Sequence, residues 1–194
     1  MAQESVFVSG FGPFEKVLHN SSSELAVGLE ADPPAGIRVH SQLLPVSFDR
    51  SAEVLSGALA GLEPSLLVGL GQQPAHGFRL ELRAASGSGA LTRPDVDGMV
   101  GAESSWCSAQ DGRWPDGLWS PLEKQLMGFA RGRSGWMCSA VAGSYVCERV
   151  FRWLLEEGEA RGIPAIFVHL PPLGVCAGER QLVELKRLLS ELDF

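Results

Sequence analysis

A cysteine, a histidine and a glutamate in this chain have the chemistry of a nucleophilic site. Cys147 lies in AGSYVCERVF, just inside the start of a predicted helix, His169 follows the apolar run AIFV, and Glu81 lies in the run RLELRA. A thiolate is a strong nucleophile, an imidazole can accept the thiol proton, and a carboxylate can orient the imidazole. This is the combination of side chains that a cysteine hydrolase needs.

The position of Cys147 at a helix start adds two expectations. The partial positive charge of a helix N-terminus favours a thiolate, so the pKa of this thiol is expected to fall. The free backbone N–H groups of the same turn can hold an oxyanion.

Simpler explanations exist for each of the three side chains. A free cysteine is often a small buried apolar group, and by composition Cys138 and Cys176 are as available as Cys147. A histidine at a strand end is often structural, and Glu81 could be a solvated strand residue. The residue types alone therefore leave a catalytic and a structural interpretation open.

The elements that must position these residues alternate between strand and helix. Apolar or alternating runs predict strands at 5–10, 37–46, 65–71, 79–84, 136–141 and 165–172. Amphipathic stretches predict helices at 21–32, 49–62, 121–132, 144–162 and 179–194, whereas 85–118 is irregular. This alternation predicts an α/β fold with a largely parallel sheet and helices on both faces. Ligands in such folds bind at loops that leave the carboxyl ends of strands.

Composition excludes several classes of function. The chain has 194 residues and a net charge of −7 with no basic cluster, which argues against nucleic-acid binding. It has no apolar run of the roughly 18 residues needed to span a bilayer, and its N-terminus does not look like a secretory signal. Four cysteines without a CxxC pair predict free thiols in a reducing cytoplasm, and the four histidines do not suggest a zinc site.

Five segments in order resemble the pyroglutamyl-peptidase I family of cysteine peptidases. They are VSGFGPFEKVLHNSS, LPVSFD, SLLVGLGQ with the following FRLELRA, VAGSYVCERVF and IFVHLPPLG. The resemblance implies a three-layer α/β/α sandwich with a mixed, mostly parallel sheet, formed as one domain over residues 1–194. It also implies hydrolysis of the amide bond after an N-terminal pyroglutamyl residue through an acyl-enzyme, with no metal or organic cofactor. The family often forms tetramers, so a homo-oligomer is a further expectation.

The resemblance also assigns roles to individual positions. Cys147 matches the nucleophile, His169 the general base and then acid, and Glu81 the residue that orients the histidine. The matches to the substrate pocket are Phe11 and Phe14, expected to flank the lactam ring, and Asn20 and Gln72, expected close to it.

Two departures from the family pattern bear on activity. Where the family has Arg-Ile-Pro-Asp-Asn, this chain has LTRPDVDG, so Thr92 takes the position of the arginine. Arg93 is shifted by one position, and it is the residue left to support the oxyanion. Glu148 replaces the family's asparagine after the nucleophile, and a carboxylate there disfavours the thiolate. Two alternatives therefore stay open: an amidase of altered specificity, or a non-catalytic protein that keeps the pyroglutamate pocket.

Overall fold

Six strands and five helices are present over the residues that the computed structural model describes, which are 4–84, 93–101, 120–140 and 142–194. The strands are β1 Glu4–Phe11, β2 Ile37–Leu44, β3 Leu66–Gln72, β4 Phe78–Glu81, β5 Trp136–Ser139 and β6 Ala165–Leu170. The helices are α1 Ser21–Ala31, α2 Phe48–Leu59, α3 Glu123–Ala130, α4 Val146–Arg161 and α5 Gly178–Glu191. Each predicted element is found. The clearest error is at β4, which ends at Glu81 rather than at 84.

The strands form one sheet in the order β2-β1-β3-β6-β4-β5. All neighbouring pairs are parallel except β4 and β6, which are antiparallel. The sheet is therefore mixed and mostly parallel, as the resemblance implied. Because β4 is reversed, its first residues lie at the same edge as the last residues of β1, β3 and β6. This edge collects the side chains of the site.

The two faces of the sheet are covered by different helices. Alternate residues of a strand point to opposite faces, so Val6 and Val8 join one apolar cluster while Phe7 joins another. The first cluster contains residues of α1, α3 and α5, and the second contains residues of α2 and α4. This gives the three-layer α/β/α arrangement, in which α4 carries Cys147 against one face. None of the helices in the described ranges is both long and apolar enough to cross a membrane.

The start of α1 is fixed closely against the end of β1. Asn20 caps the helix by accepting from the backbone N–H of Ser22, and the Ser22 hydroxyl accepts from the backbone N–H of Phe11 at 3.0 Å. A Cβ atom on Gly10 would lie 2.2 Å from the carbonyl oxygen of Ser22. Only glycine at position 10 permits this approach without a shift of the helix.

The Gly10→Ala variant is expected to be destabilised by about 1–3 kcal/mol, because the added methyl group must displace backbone atoms. The matched control is Gly57→Ala in the exposed part of α2, where an added Cβ meets nothing within 4 Å. That control should gain about 0.5–1 kcal/mol through helix propensity. Urea unfolding measures both, and equal stability of the two variants would show that the contact at Gly10 is misplaced.

Candidate active site

A cavity of about 440 Å³ opens at the edge of the sheet where the strand ends and α4 meet. Its wall combines residues from the loops that follow β1, β3 and β6, from β4, and from the start of α4. The sequence-predicted residues that line it are Phe11, Phe14, Asn20, Gln72, Arg93, Cys147 and His169. Glu81 lies behind His169 and is fully buried.

Glu81 and His169 form the closest polar contact of the site. Nδ1 of His169 lies 2.7 Å from Oε1 of Glu81, and the two residues are 6% and 0% exposed. A carboxylate can only accept hydrogen bonds, so this contact favours the neutral tautomer with the proton on Nδ1, which leaves the lone pair on Nε2. Burial of a carboxylate is costly unless it is paired, and in the described part of the chain Oε2 of Glu81 has no hydrogen-bond partner. The bond to His169 is thus the main polar support of this carboxylate.

Cys147 reaches the same place from α4, of which it is the second residue. A Cβ atom on Gly71 would lie 3.0 Å from Sγ of Cys147 and 3.1 Å from Nε2 of His169. The sulfur and the imidazole Nε2 therefore both lie against Gly71, where the methyl group of any larger residue would crowd them. Gly71 was not among the predicted site residues, and its only sequence signal is a glycine inside the apolar run LLVGLGQ.

The pKa of the Cys147 thiol is raised to about 12. Burial is the main cause, the negative charge of Glu81 adds to it, and the charge of Glu148 contributes less. The backbone N–H of Cys147 lowers the pKa, but by less than burial raises it. The expectation of a lowered thiol pKa was therefore wrong, because desolvation of the sulfur outweighs the favourable effect of the backbone N–H at the helix start. A raised pKa favours the neutral thiol, which needs a neighbouring base to take its proton.

The other cysteines do not share this position. Cys138, Cys147 and Cys176 are free thiols, and of these Cys147 lines the cavity. Cys138 lies in β5, where burial raises its pKa, and Cys176 lies in the loop after β6. Cys107 lies outside the described residues. Among the described residues, no group of three or more His, Cys, Asp or Glu side chains could hold a metal ion.

The apolar wall of the cavity is aromatic. Phe11 and Phe14 come from the end of β1 and the loop after it, and Tyr145 precedes the helix that carries Cys147. The rings of Phe14 and Tyr145 are 6.3 Å apart between centroids, and Val46 adds an aliphatic side chain. A small, flat, neutral ring can be held between such side chains without a charged anchor.

Asn20 and Gln72 line the cavity but are also engaged within the protein. Nδ2 of Asn20 donates to the carbonyl of Gly12 at 3.1 Å, and its Oδ1 accepts from the hydroxyl of Ser22 at 2.8 Å. Asn20 thus fixes the start of the loop between the two phenylalanines. Oε1 of Gln72 accepts from the backbone N–H of Ser21 at 2.8 Å. What Gln72 can offer to a ligand is therefore its Nε2 amide group.

Arg93 also lines the cavity, but its charge is already paired. Its Nη2 donates to both carboxylate oxygens of Glu15 at 2.8 Å, and its guanidinium lies 4.5 Å from the centre of the Tyr145 ring. The hydroxyl of Tyr145 donates to the carbonyl of Pro94 at 3.1 Å. Arg93 could support an oxyanion only by leaving Glu15. Thr92, at the family's arginine position, lies outside the described residues.

Replacement of the carboxylate next to the nucleophile tests the electrostatics of the site. Glu148→Gln keeps the shape of this buried residue and removes a charge that raises the pKa of Cys147. A lower thiol pKa means more thiolate at any pH below that pKa, so alkylation of Cys147 by iodoacetamide at pH 8 should be roughly threefold faster or more. Peptide mapping by mass spectrometry follows Cys147 separately from the other thiols.

The control for this experiment is Glu159→Gln, which removes an exposed carboxylate from the far end of the same helix. Its alkylation rate should match that of the unmodified protein. An unchanged rate in Glu148→Gln would mean that Glu148 does not act on the thiol.

Comparison with known proteins identifies the family. The family model described as pyroglutamyl peptidase matches residues 4–181. The chain is 28% identical over 189 residues to pyrrolidone-carboxylate peptidase of Chromobacterium violaceum, with 87% of this chain and 78% of the relative covered. It is 29% identical over 171 residues to the protein of the same name from Klebsiella pneumoniae, with 86% and 77% covered.

Solved structures agree with the fold. Pyrrolidone carboxyl peptidase from Fervidobacterium islandicum superposes with a TM-score of 0.77 at 25% identity, covering 96% of each chain. The pyrrolidone carboxyl peptidase from Thermococcus litoralis gives a TM-score of 0.83 at 20% identity, covering 97% of this chain and 92% of the other. Because the family model spans most of the sequence, this chain belongs to the pyroglutamyl peptidase family.

Proposed function

We propose that this protein removes an N-terminal pyroglutamyl residue from peptides by hydrolysing the following amide bond through an acyl-enzyme on Cys147. One observation carries the proposal. The buried Glu81–His169 pair leaves Nε2 of His169 and Sγ of Cys147 bordering the same small space in a cavity with aromatic walls. The names of the relatives support the substrate class.

The aromatic wall suits the group to be removed. A pyroglutamyl ring is a small, flat lactam without an α-amine, so no charged side chain is needed to anchor it. Phe11 and Phe14 would flank the ring, and the Nε2 amide of Gln72 would donate to the lactam carbonyl. With the ring held in this way, the scissile carbonyl would lie next to Cys147.

The first chemical step uses the neutral thiol. Nε2 of His169 takes the proton from Cys147 as Sγ attacks the carbonyl carbon, and Glu81 stabilises the imidazolium that forms. The oxyanion of the tetrahedral intermediate is held by free backbone N–H groups in the first turn of α4. His169 then protonates the departing amine, the C–N bond breaks, and a pyroglutamyl thioester remains on Cys147.

The second step regenerates the enzyme. A water molecule attacks the thioester while Nε2 of His169 takes its proton. The C–S bond breaks, pyroglutamate leaves, and the proton returns to the sulfur. The same imidazole thus acts as base and then acid in each of the two steps, while its Nδ1 stays hydrogen-bonded to Glu81.

The wider setting of the protein is part of the proposal. Free thiols at Cys138, Cys147 and Cys176 support a reducing compartment such as the cytoplasm. Its partners would be peptides that begin with pyroglutamate. One domain over residues 1–194 and a homo-oligomeric state stay predictions.

The direct test of this function is release of a fluorescent amine from a pyroglutamyl amide. Cys147→Ala should lower turnover by about three orders of magnitude or more, because it removes the nucleophile. The control Cys176→Ala, a thiol in the loop after β6, should keep the activity of the unmodified protein.

Two results would contradict the proposal. Turnover that persists in a purified Cys147→Ala protein would remove Cys147 from its role. Absence of turnover by the folded, unmodified protein would favour the alternatives of altered amidase specificity or a binding protein. Calorimetric titration with pyroglutamate would then separate these two.

A further inference from the structure

Arg79 contributes a cation to the cavity that the mechanism above does not use. Its side chain is half-buried and lines the cavity together with Cys147 and His169. Over residues 4–84, 93–101, 120–140 and 142–194, no carboxylate lies within ion-pair distance of its guanidinium and no hydrogen bond from it is formed. By contrast, ion pairs with carboxylates are made by Arg50, Arg93, Arg133, Arg152, Arg161 and Arg187.

The register of the sheet places Arg79 beside the catalytic histidine. In the antiparallel pair of β4 and β6, Arg79 lies directly opposite His169. Directly opposed residues of an antiparallel pair have side chains on the same face, with Cβ atoms about 4.5–5.5 Å apart. Arg79 is thus on the same face of the sheet as His169, one strand further from the aromatic wall.

The strand order gives the cavity two different ends. The aromatic wall belongs to β1 and its loop, Gly71 and Gln72 belong to β3, His169 to β6 and Arg79 to β4. These four strands are neighbours in that order, and strands are about 4.8 Å apart. The phenylalanines and Arg79 are therefore separated by roughly 14 Å, three strand spacings, with the sulfur and imidazole between them.

The orientation of the substrate determines which of its groups lies next to Arg79. His169 protonates the departing amine, so the released part of the substrate must lie on the histidine side, away from the lactam ring. We infer that Arg79 binds a carboxylate carried by the residue that follows pyroglutamate. The inference rests on the proposed function and names its preferred substrates: pyroglutamyl dipeptides with a free α-carboxylate, or longer peptides with an acidic residue next to the scissile bond.

The chemistry of arginine fits this assignment. A guanidinium binds carboxylates through two parallel hydrogen bonds, and such charge-assisted bonds are among the strongest in proteins. The protein as a whole carries a net charge of −7, which repels an anionic peptide at long range. Arg93 is paired with Glu15, so among the described residues that line the cavity Arg79 is the cation without a paired carboxylate.

The experiment compares three matched substrates: pyroglutamyl-alanine with a free carboxylate, its neutral C-terminal amide, and pyroglutamyl-glutamate with only the α-carboxylate amidated. In the unmodified protein, kcat/KM should be about tenfold higher for at least one carboxylate substrate than for the neutral amide. The preference should shrink as salt is added. The two anionic substrates distinguish an α-carboxylate from a side-chain carboxylate.

Two variants test whether Arg79 causes the preference for carboxylate substrates. Arg79→Gln should reduce the carboxylate-to-amide ratio to about one, because the cation is lost and the polar side chain is kept. The control Arg131→Gln removes an exposed arginine that does not line the cavity, and it should keep the ratio. Absence of a preference in the unmodified protein would overturn the inference. So would an equal loss on charged and neutral substrates in Arg79→Gln, which would assign Arg79 to the oxyanion or to the fold.

Failure of the proposed function has a separate signature. If the folded, unmodified protein cleaves none of the three substrates, hydrolysis of pyroglutamyl peptides is refuted. Calorimetric titration of Cys147→Ala then tests Arg79 by binding alone. Tighter binding of an anionic peptide than of the neutral amide, lost in Cys147→Ala/Arg79→Gln, supports the assignment, and equal binding of all three overturns it.

Discussion

The buried hydrogen bond between Glu81 and His169 is the interaction on which the rest of the site depends. At 2.7 Å, with Glu81 fully buried, it fixes which imidazole nitrogen faces the cavity. Without this bond, nothing would hold the unprotonated Nε2 toward the sulfur of Cys147. The Glu81 carboxylate would also lose its main polar partner. The bond exists because β4 runs antiparallel to β6, which places Glu81, the last residue of β4, two residues from the position opposite His169.

This reversed strand also marks the limit of what the sequence predicts. The local patterns located the strands, the helices and the placement of Cys147 at a helix start, since these depend on residues that are close in the chain. The antiparallel pairing of β4 with β6 joins residues such as Glu81 and Phe167 across the sheet, and no local pattern specifies it. For that reason the residues alone left the role of Glu81 open between catalytic and structural until the family resemblance assigned it, and Arg79 and Gly71 were not among the predicted site residues.

The thiol of Cys147 shows a second limit. The helix start was visible in the sequence, and a helix N-terminus stabilises a nearby anion by roughly 0.3–1 kcal/mol. Burial acts in the opposite direction and can shift a pKa by several times that free energy. Depth inside the protein depends on how α4 packs on β3 and β6, which is a property of the whole fold. The pKa of Cys147 is therefore raised, where the helix start alone predicts a lowered pKa.

Because a neutral thiol must lose its proton before it can attack, His169 must direct the lone pair of Nε2 toward Cys147. The most direct measurement is the tautomer of His169 in the free protein, read from the imidazole ¹⁵N chemical shifts at a pH where the ring is neutral. The account predicts a proton on Nδ1, donated to Glu81, and an unprotonated Nε2. A proton on Nε2 would mean that Nδ1 accepts from Glu81, and that His169 could not take the proton of Cys147.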